Sequence, residues 1–258
     1  MHPNPVVVVT GASRGLGLAV AQILLGFNAV VVAINRSRTA QLDQLAAQYP
    51  DALKIVQCSA TDAPAFSKAL TSVPEEYGRL DALVLNHGIL DPVGRLGSQE
   101  NSALSWADHF NTNVFSCITA LHASLPALRK GPNGGRVIFV SSGAATGGVA
   151  GWGAYNAGKA AMNSICRTLA TEERDVVAVA VRPGKVNTDM QSQIRSGGTG
   201  HMDQAVYDSF VREHNEGALL PPDQPGHVIA KLALTAPSEL SGQFVSWDSE
   251  QCMAFRKP

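Results

Sequence analysis

Charge is scarce in this chain. Asp, Glu, Lys and Arg make up 16% of its 258 residues, and 20 basic against 21 acidic side chains leave a net charge of −1. Such a balance offers no electrostatic footprint for nucleic acid or an anionic membrane surface. Cysteine is scarce as well. Cys58, Cys117, Cys166 and Cys252 are widely scattered with no C-x-x-C pair. That argues against a zinc site or a disulfide framework, and for buried free thiols in a reducing compartment. No apolar run approaches the ~18 residues of a membrane span. The N-terminus lacks a charged leader followed by a long apolar stretch, and Phe255-Arg-Lys-Pro258 matches no retention or peroxisomal tag. A cytoplasmic protein is therefore expected. The histidines include no H-x-H or H-E-x-x-H spacing, so no metal is expected. Repeats and low-complexity tracts are missing too.

Hydrophobic residues, by contrast, make up 45% of the chain, enough to bury a sizeable core. Val6 to Val9 reads as a short apolar strand that runs into Thr10-Gly-Ala-Ser-Arg-Gly-Leu-Gly17. The helical spacing of Leu16, Ala19, Val20, Ile23 and Leu24 follows. Strand, glycine turn and helix form the context of a dinucleotide-binding loop. Gly11 permits the tight turn, Gly15 lets backbone approach a pyrophosphate, and Gly17 allows close helix–strand packing. Ser13, Arg14 and Leu16 fill the positions between them. A second strand, Ala29 to Ile34, ends at Asn35-Arg36-Ser37-Arg38, with no Asp or Glu before Asp43. An acid there would bind the ribose 2′-hydroxyl of NAD, whereas a guanidinium can grip a 2′-phosphate. The pattern favours NADP(H), with Arg36 as its main contact and Arg14 as a second positive charge. Two solvated surface arginines are the alternative.

Thr39 to Tyr49 and Ala63 to Val73 read as helices, and Leu53 to Gln57 and Leu80 to Leu85 as strands. The latter strand ends at Asn86-His87-Gly88. His87 is expected to be a packed or cofactor-lining ring rather than a catalytic one. Ser102 to Leu128 reads as one long helix, kinked or ended by Pro126. Its apolar positions include Leu104, Phe110, Val114, Phe115, Ile118 and Leu121, with Asn113 among them. Asn113 is either exposed or a polar group held for a purpose. Val137 to Val140 and Val176 to Val181 are further strands, and Gln243 to Trp247 is the last. Gln191 to Asp203, polar and Gly-rich, is expected to be a mobile loop. With the amphipathic helix Gln204 to Asn215 it would form a substrate lid over 190–217. Gly226 to Ala236 is a final helix. Strand–helix alternation from end to end predicts a single Rossmann-type α/β domain over 1–258, a doubly wound parallel sheet of about seven strands with helices on both faces.

Ser142 follows the fifth strand, where ligands bind in such sheets. Tyr155 lies 13 residues on, and Lys159 four further, on the same helix face. An ammonium beside a phenol favours phenolate and would lower the tyrosine pKa, which suits a general acid near neutral pH. Tyr155 and Lys159 could equally be one surface pair among many.

Taken together, Thr10-Gly-xxx-Gly15-x-Gly17, Asn86-x-Gly88, Asn113, Ser142, Tyr155-xxx-Lys159 and Pro183-Gly184-x-Val186-x-Thr188 resemble the short-chain dehydrogenase/reductase family over almost the whole chain. Trp152-Gly-Ala-Tyr155, Leu169-Ala-Thr-Glu-Glu-Arg174 and Pro183 to Met190 resemble its sepiapterin-reductase-like branch, and within it the fungal benzil reductases. The resemblance implies a carbonyl reductase and assigns roles. Tyr155 would protonate the carbonyl oxygen, and Ser142 would orient it. Lys159 would tune Tyr155 and bind the nicotinamide ribose. Asn113 would hold a relay water, and Val186 and Thr188 the carboxamide. The family's usual Asn-Asn-Ala-Gly is Leu85-Asn-His-Gly here, and Ser59 stands where an adenine-contacting Asp often follows the third strand. Trp152, Met190, Met202, Tyr207 and Phe210 are candidates to line an apolar substrate pocket. Relatives pair as homodimers. A non-catalytic NADP(H)-binding regulator and an NAD-linked alcohol dehydrogenase remain alternatives.

Overall fold

The computed structural model describes residues 3–257. Seven strands form one parallel sheet: β1 (Val6–Thr10), β2 (Val30–Asn35), β3 (Leu53–Gln57), β4 (Ala82–Leu85), β5 (Gly135–Val140), β6 (Val176–Arg182) and β7 (Phe244–Ser246). Their order is β3-β2-β1-β4-β5-β6-β7. The order reverses direction at β1, so a crevice opens there beyond the strand ends. Every residue of β1, β2 and β4 is buried, because helices cover both faces of a parallel sheet.

Side-chain alternation divides the core in two. Val7 and Val9 face one layer, where α1 (Gly15–Gly26) and α9 (Asp223–Thr235) pack. Val6 and Val8 face the other, with α3 (Ala63–Tyr77), α5 (Ser116–Leu128) and α6 (Gly153–Glu172). Phe66 and Phe139 are the largest fully buried side chains of that second layer. Polar stitches hold the register of the central strands. Thr10 Oγ1 donates to the Val84 carbonyl at 3.1 Å, and the Val6 amide donates to Asp81 Oδ2 at 2.8 Å.

Three expectations need correcting here. The predicted long helix is broken into α4 (Ala103–Phe110), one wide turn of π geometry (Asn111–Phe115) and α5. The irregularity lies at Asn113 and not at Pro126, which sits in the last turn of α5 and is tolerated there. Asn113, at the centre of that turn, holds the Ile89 backbone through its amide, and single wide turns of this kind are frequent at functional sites. Of the predicted helix's apolar positions, Leu104, Phe115 and Ile118 are 73%, 54% and 48% exposed. The predicted loop Gln191 to Asp203 is helical for its first half, as α7 (Asp189–Gly197). Asp189 in the first turn and Arg195 in the last complement the helix dipole, and Ile194 anchors the inner face. The remaining helices, α2 (Ala40–Gln48) and α8 (Gln204–Asn215), follow the sequence pattern closely. Cys117, Cys166 and Cys252 are buried free thiols, but Cys58 is only partly buried.

Candidate active site

A cavity of about 890 Å³ runs along the carboxyl ends of the strands. One end begins at the glycine loop. Gly11 and Gly15 have φ of +67° and +55°, the left-handed region that favours glycine. A Cβ on Gly17 would lie 2.3 Å from the Gly11 carbonyl oxygen, so only glycine lets the helix enter this close to β1. Asn86 clasps the loop by donating from Nδ2 to the Thr10 and Gly11 carbonyls, at 3.1 and 3.0 Å. At the start of α1 the flanking Arg14 makes no side-chain cap, and no acid stands in the first turn. The first N–H groups are thus left for an anion, which the helix dipole also favours. A diphosphate bridge fits this cradle, and the cavity lining continues on both sides of it.

Toward the sheet edge the wall is Asn35, Arg36 and Ser59. The Asn35 amide is buried with neither polar atom hydrogen-bonded in the protein. Arg36 is exposed. Arg14 is committed elsewhere than expected. Its guanidinium pairs with Asp189 at 2.7 Å, tying the glycine loop to the start of α7. Ser13, Leu16, His87, Gly88, Pro183, Gly184, Val186 and Thr188 also line the cavity.

The other end holds Ser142, Tyr155 and Lys159. β5 delivers Ser142 to its carboxyl end, and α6 carries the other two on its inner face, both buried. Burial raises the Tyr155 phenol above its ordinary 10, while the hydrogen bond with Ser142 pulls the other way. The lowering expected from Lys159 does not occur. The Lys159 ammonium lies 5.7 Å from the Tyr155 ring centroid and donates to the Val140 carbonyl at 2.7 Å. Burial pushes its own pKa down to about 8. A phenol in this setting holds its proton near neutral pH, poised against a hydrogen-bonding hydroxyl. That suits donation to a developing oxyanion.

Asn113 stands behind this wall and is fully buried. Its Oδ1 accepts from the Ile89 amide at 2.8 Å and its Nδ2 donates to the Ile89 carbonyl at 2.8 Å. This grip sets the path of Gly88, where a Cβ would come within 3.2 Å of Asn113 Oδ1 and 3.8 Å of Lys159 Nζ. His87 is the packed ring the sequence suggests. Its nitrogens sit 2.7 Å from Thr10 Oγ1 and 2.7 Å from Ser116 Oγ. Burial, with Lys159 nearby, pushes its pKa down to about 4.

Of the expected substrate-lining residues, Trp152, Met190 and Phe210 do line the cavity. Trp152 meets Tyr155 edge-on at 5.8 Å and lies 5.7 Å from Phe210. Met202 and Tyr207 do not line it. Met202 is buried beside Gly198, and the Tyr207 hydroxyl is turned back to the Arg195 carbonyl at 2.9 Å. Both brace α7 against α8. Leu90, Val149 and Ile194 complete the apolar end instead. Sequence reasoning passed over His109 entirely. It is fully buried between Asn113 and Tyr155. The only signal was its four-residue spacing from Asn113, which places both on one helix face.

Known proteins align with this arrangement. The family model for short chain dehydrogenases matches residues 5–198. An uncharacterised oxidoreductase of Schizosaccharomyces pombe is 35% identical over 245 residues, 95% of this chain and 96% of that one. A benzil reductase of Saccharomyces cerevisiae that forms (S)-benzoin is 32% identical over 254 residues, covering 95% and 97%. The crystal structure of a short chain dehydrogenase/reductase from Saccharomyces cerevisiae superposes with a TM-score of 0.93 at 34% identity, covering 98% of this chain and 100% of that one.

Proposed function

Because the chain belongs to the short-chain dehydrogenase/reductase family, and is thereby an oxidoreductase, we propose that it is an NADPH-dependent carbonyl reductase for ketones bearing an aromatic ring, vicinal diketones among them. One observation carries the reading. Ser142, Tyr155 and Lys159 converge at one end of a cavity whose other end is a glycine loop and an uncapped helix N-terminus. The benzil reductase relative supports the diketone, as does the aromatic pair Trp152 and Phe210 beside Tyr155.

The residues present fit a nicotinamide dinucleotide, which when bound supplies the hydride. Gly11, Ser13, Gly15, Leu16 and Gly17 would hold its diphosphate. Asn35, Arg36 and Ser59 would flank the adenosine half, and Asn86 to Gly88, Pro183, Gly184, Val186 and Thr188 the nicotinamide half. Tyr155 keeps the proton on its phenol oxygen and delivers it to the substrate's carbonyl oxygen. Ser142 donates a second hydrogen bond to that oxygen, strongest as negative charge builds there. Lys159 places a positive charge beside the site and a donor for a ribose hydroxyl. Asn113 fixes the Gly88–Ile89 floor and would anchor a water for proton return. Arg36, exposed and with no acid beside it, favours a 2′-phosphate. Residues 190–217, as α7 and α8, would act as the lid. Cytoplasmic residence and a homodimer complete the proposal. Among the described residues no helix is long and apolar enough to cross a membrane.

Steady-state reduction of benzil and a panel of simpler carbonyls, with NADPH or NADH, tests this. NADPH should be preferred about tenfold to hundredfold in kcat/KM, the worth of one charge-assisted contact. Tyr155→Phe should lower kcat by ~10²–10⁴-fold and leave NADPH affinity nearly unchanged. Parental turnover by Tyr155→Phe would refute the mechanism. Dinucleotide binding without reduction of any carbonyl would make the protein a regulator.

A further inference from the structure

His109 is buried to the last ångström, yet both its nitrogens are satisfied. Nδ1 lies 2.6 Å from the Asp91 carbonyl oxygen, and Nε2 lies 2.9 Å from Asn113 Nδ2. A carbonyl can only accept, so Nδ1 carries the hydrogen. The Asn113 orientation is equally determined, because its Oδ1 takes the Ile89 amide and its Nδ2 serves the Ile89 carbonyl. The second Nδ2 hydrogen therefore points at a bare Nε2 lone pair. Every hydrogen on that amide nitrogen is used.

The same ring meets Tyr155 edge-on, with centroids 6.2 Å apart and planes at 79°. α6 makes room for it with Gly158, where a Cβ would sit 2.9 Å from Nε2. A leucine or phenylalanine would fill this helix face without needing any partner. A buried imidazole is costly unless both nitrogens are paired, so its chemistry matters more here than its volume.

From this geometry we infer that His109 is a positioning residue for carbonyl reduction. It locks the Asn113 amide through Nε2 and holds the Tyr155 ring from the side. It does not line the cavity. The inference rests on the proposed roles of Asn113 and Tyr155. It predicts that loss of the acceptor slows turnover without weakening binding.

The test compares five variants in NADPH-dependent ketone reduction, with NADPH titration and thermal melts as checks on folding. His109→Phe keeps an aromatic ring against Tyr155 and removes the acceptor. It should lower kcat about tenfold, the worth of one hydrogen bond, while KM and NADPH affinity stay within about twofold. His109→Gln restores an acceptor near Nε2 and should recover most of the lost kcat. In an Asn113→Ala background, His109→Phe should add little, because coupled residues are not additive. Gly158→Ala presses on the imidazole from the far side, and should lower kcat even if His109→Phe fails to fold. Equal impairment of the Phe and Gln variants overturns the inference, as does full additivity with Asn113→Ala. An unchanged kcat in His109→Phe, or in Gly158→Ala where His109→Phe does not fold, overturns it as well. If Asn113→Ala alone turns over like the parent, the assignment of Asn113 has failed. If Asn113→Ala is impaired and His109→Phe is not, only the positioning role has failed.

Discussion

A histidine held away from water is a pH device whether or not it takes part in chemistry. His87 has a folded pKa of about 4 against an ordinary 6.5. Above pH 6.5 it is neutral in both folded and unfolded chains and costs nothing. Between 6.5 and 4 the unfolded chain takes up a proton that the folded one refuses. Stability must then fall as the pH falls, by up to about 1.4 kcal/mol per pH unit. Below 4 the loss is complete. Thermal melts at pH 7 and pH 5 should therefore show a larger drop in Tm for the parent than for His87→Gln. Equal drops would mean that other groups carry the acid sensitivity. At this scale the sequence was most legible where chemistry demands a residue type at a spacing. Ser142, Tyr155 and Lys159 arrive at one wall of the cavity as their separations imply. His109 was illegible because its role depends on which way a neighbouring amide points. Met202 and Tyr207 were misplaced because apolarity near a pocket does not say which side of a helix faces in.

Helix ends connect to the site more directly than helix middles do. Thr39 caps α2 by accepting from the Leu42 amide at 3.2 Å, and its hydroxyl donates to the Ser13 carbonyl in the glycine loop at 2.5 Å. One side chain thus both starts a helix and pins the loop proposed to hold the diphosphate. Thr39→Ala should cost ~0.5–2 kcal/mol of stability through the lost cap. It should also weaken NADPH binding severalfold, since the loop gains freedom that binding must remove. A variant that loses stability but binds NADPH as the parent does would show the two roles to be separate. The strands were read to within two residues at each end, because buried parallel strands are nearly continuous apolar runs. α7 was not. Its Gln, Ser and Gly residues resemble a loop in composition, and only its packing through Ile194 and Met202 makes it helical. The break between α4 and α5 was hidden for the opposite reason. Its sequence is acceptable helix, and the hydrogen bonds between Asn113 and the Ile89 backbone that accompany the wide turn are tertiary.

At the scale of the molecule, Leu104 in α4, Phe115 in the wide turn after it and Ile118 in α5 are exposed. Exposed apolar side chains that form a patch commonly mark a protein contact. A second copy is the partner proposed above, and symmetric dimers are the commonest assemblies. Phe115→Asp with Ile118→Asp should shift sedimentation at micromolar concentration from dimer to monomer. A parent that sediments only as monomer would remove the dimer from the proposal.

The place of β1 in the middle of the sheet also sets a schedule. Its neighbour on one side, β2, follows within a few tens of residues, but the Thr10–Val84 bond on its other side spans 74 positions. At a synthesis rate of about 5–20 residues per second, that partner emerges roughly 4–15 s after β1. For those seconds a strand of four consecutive valines waits with one edge open. It is both the template on which the second half of the sheet will grow and the segment most exposed to pairing with the wrong chain.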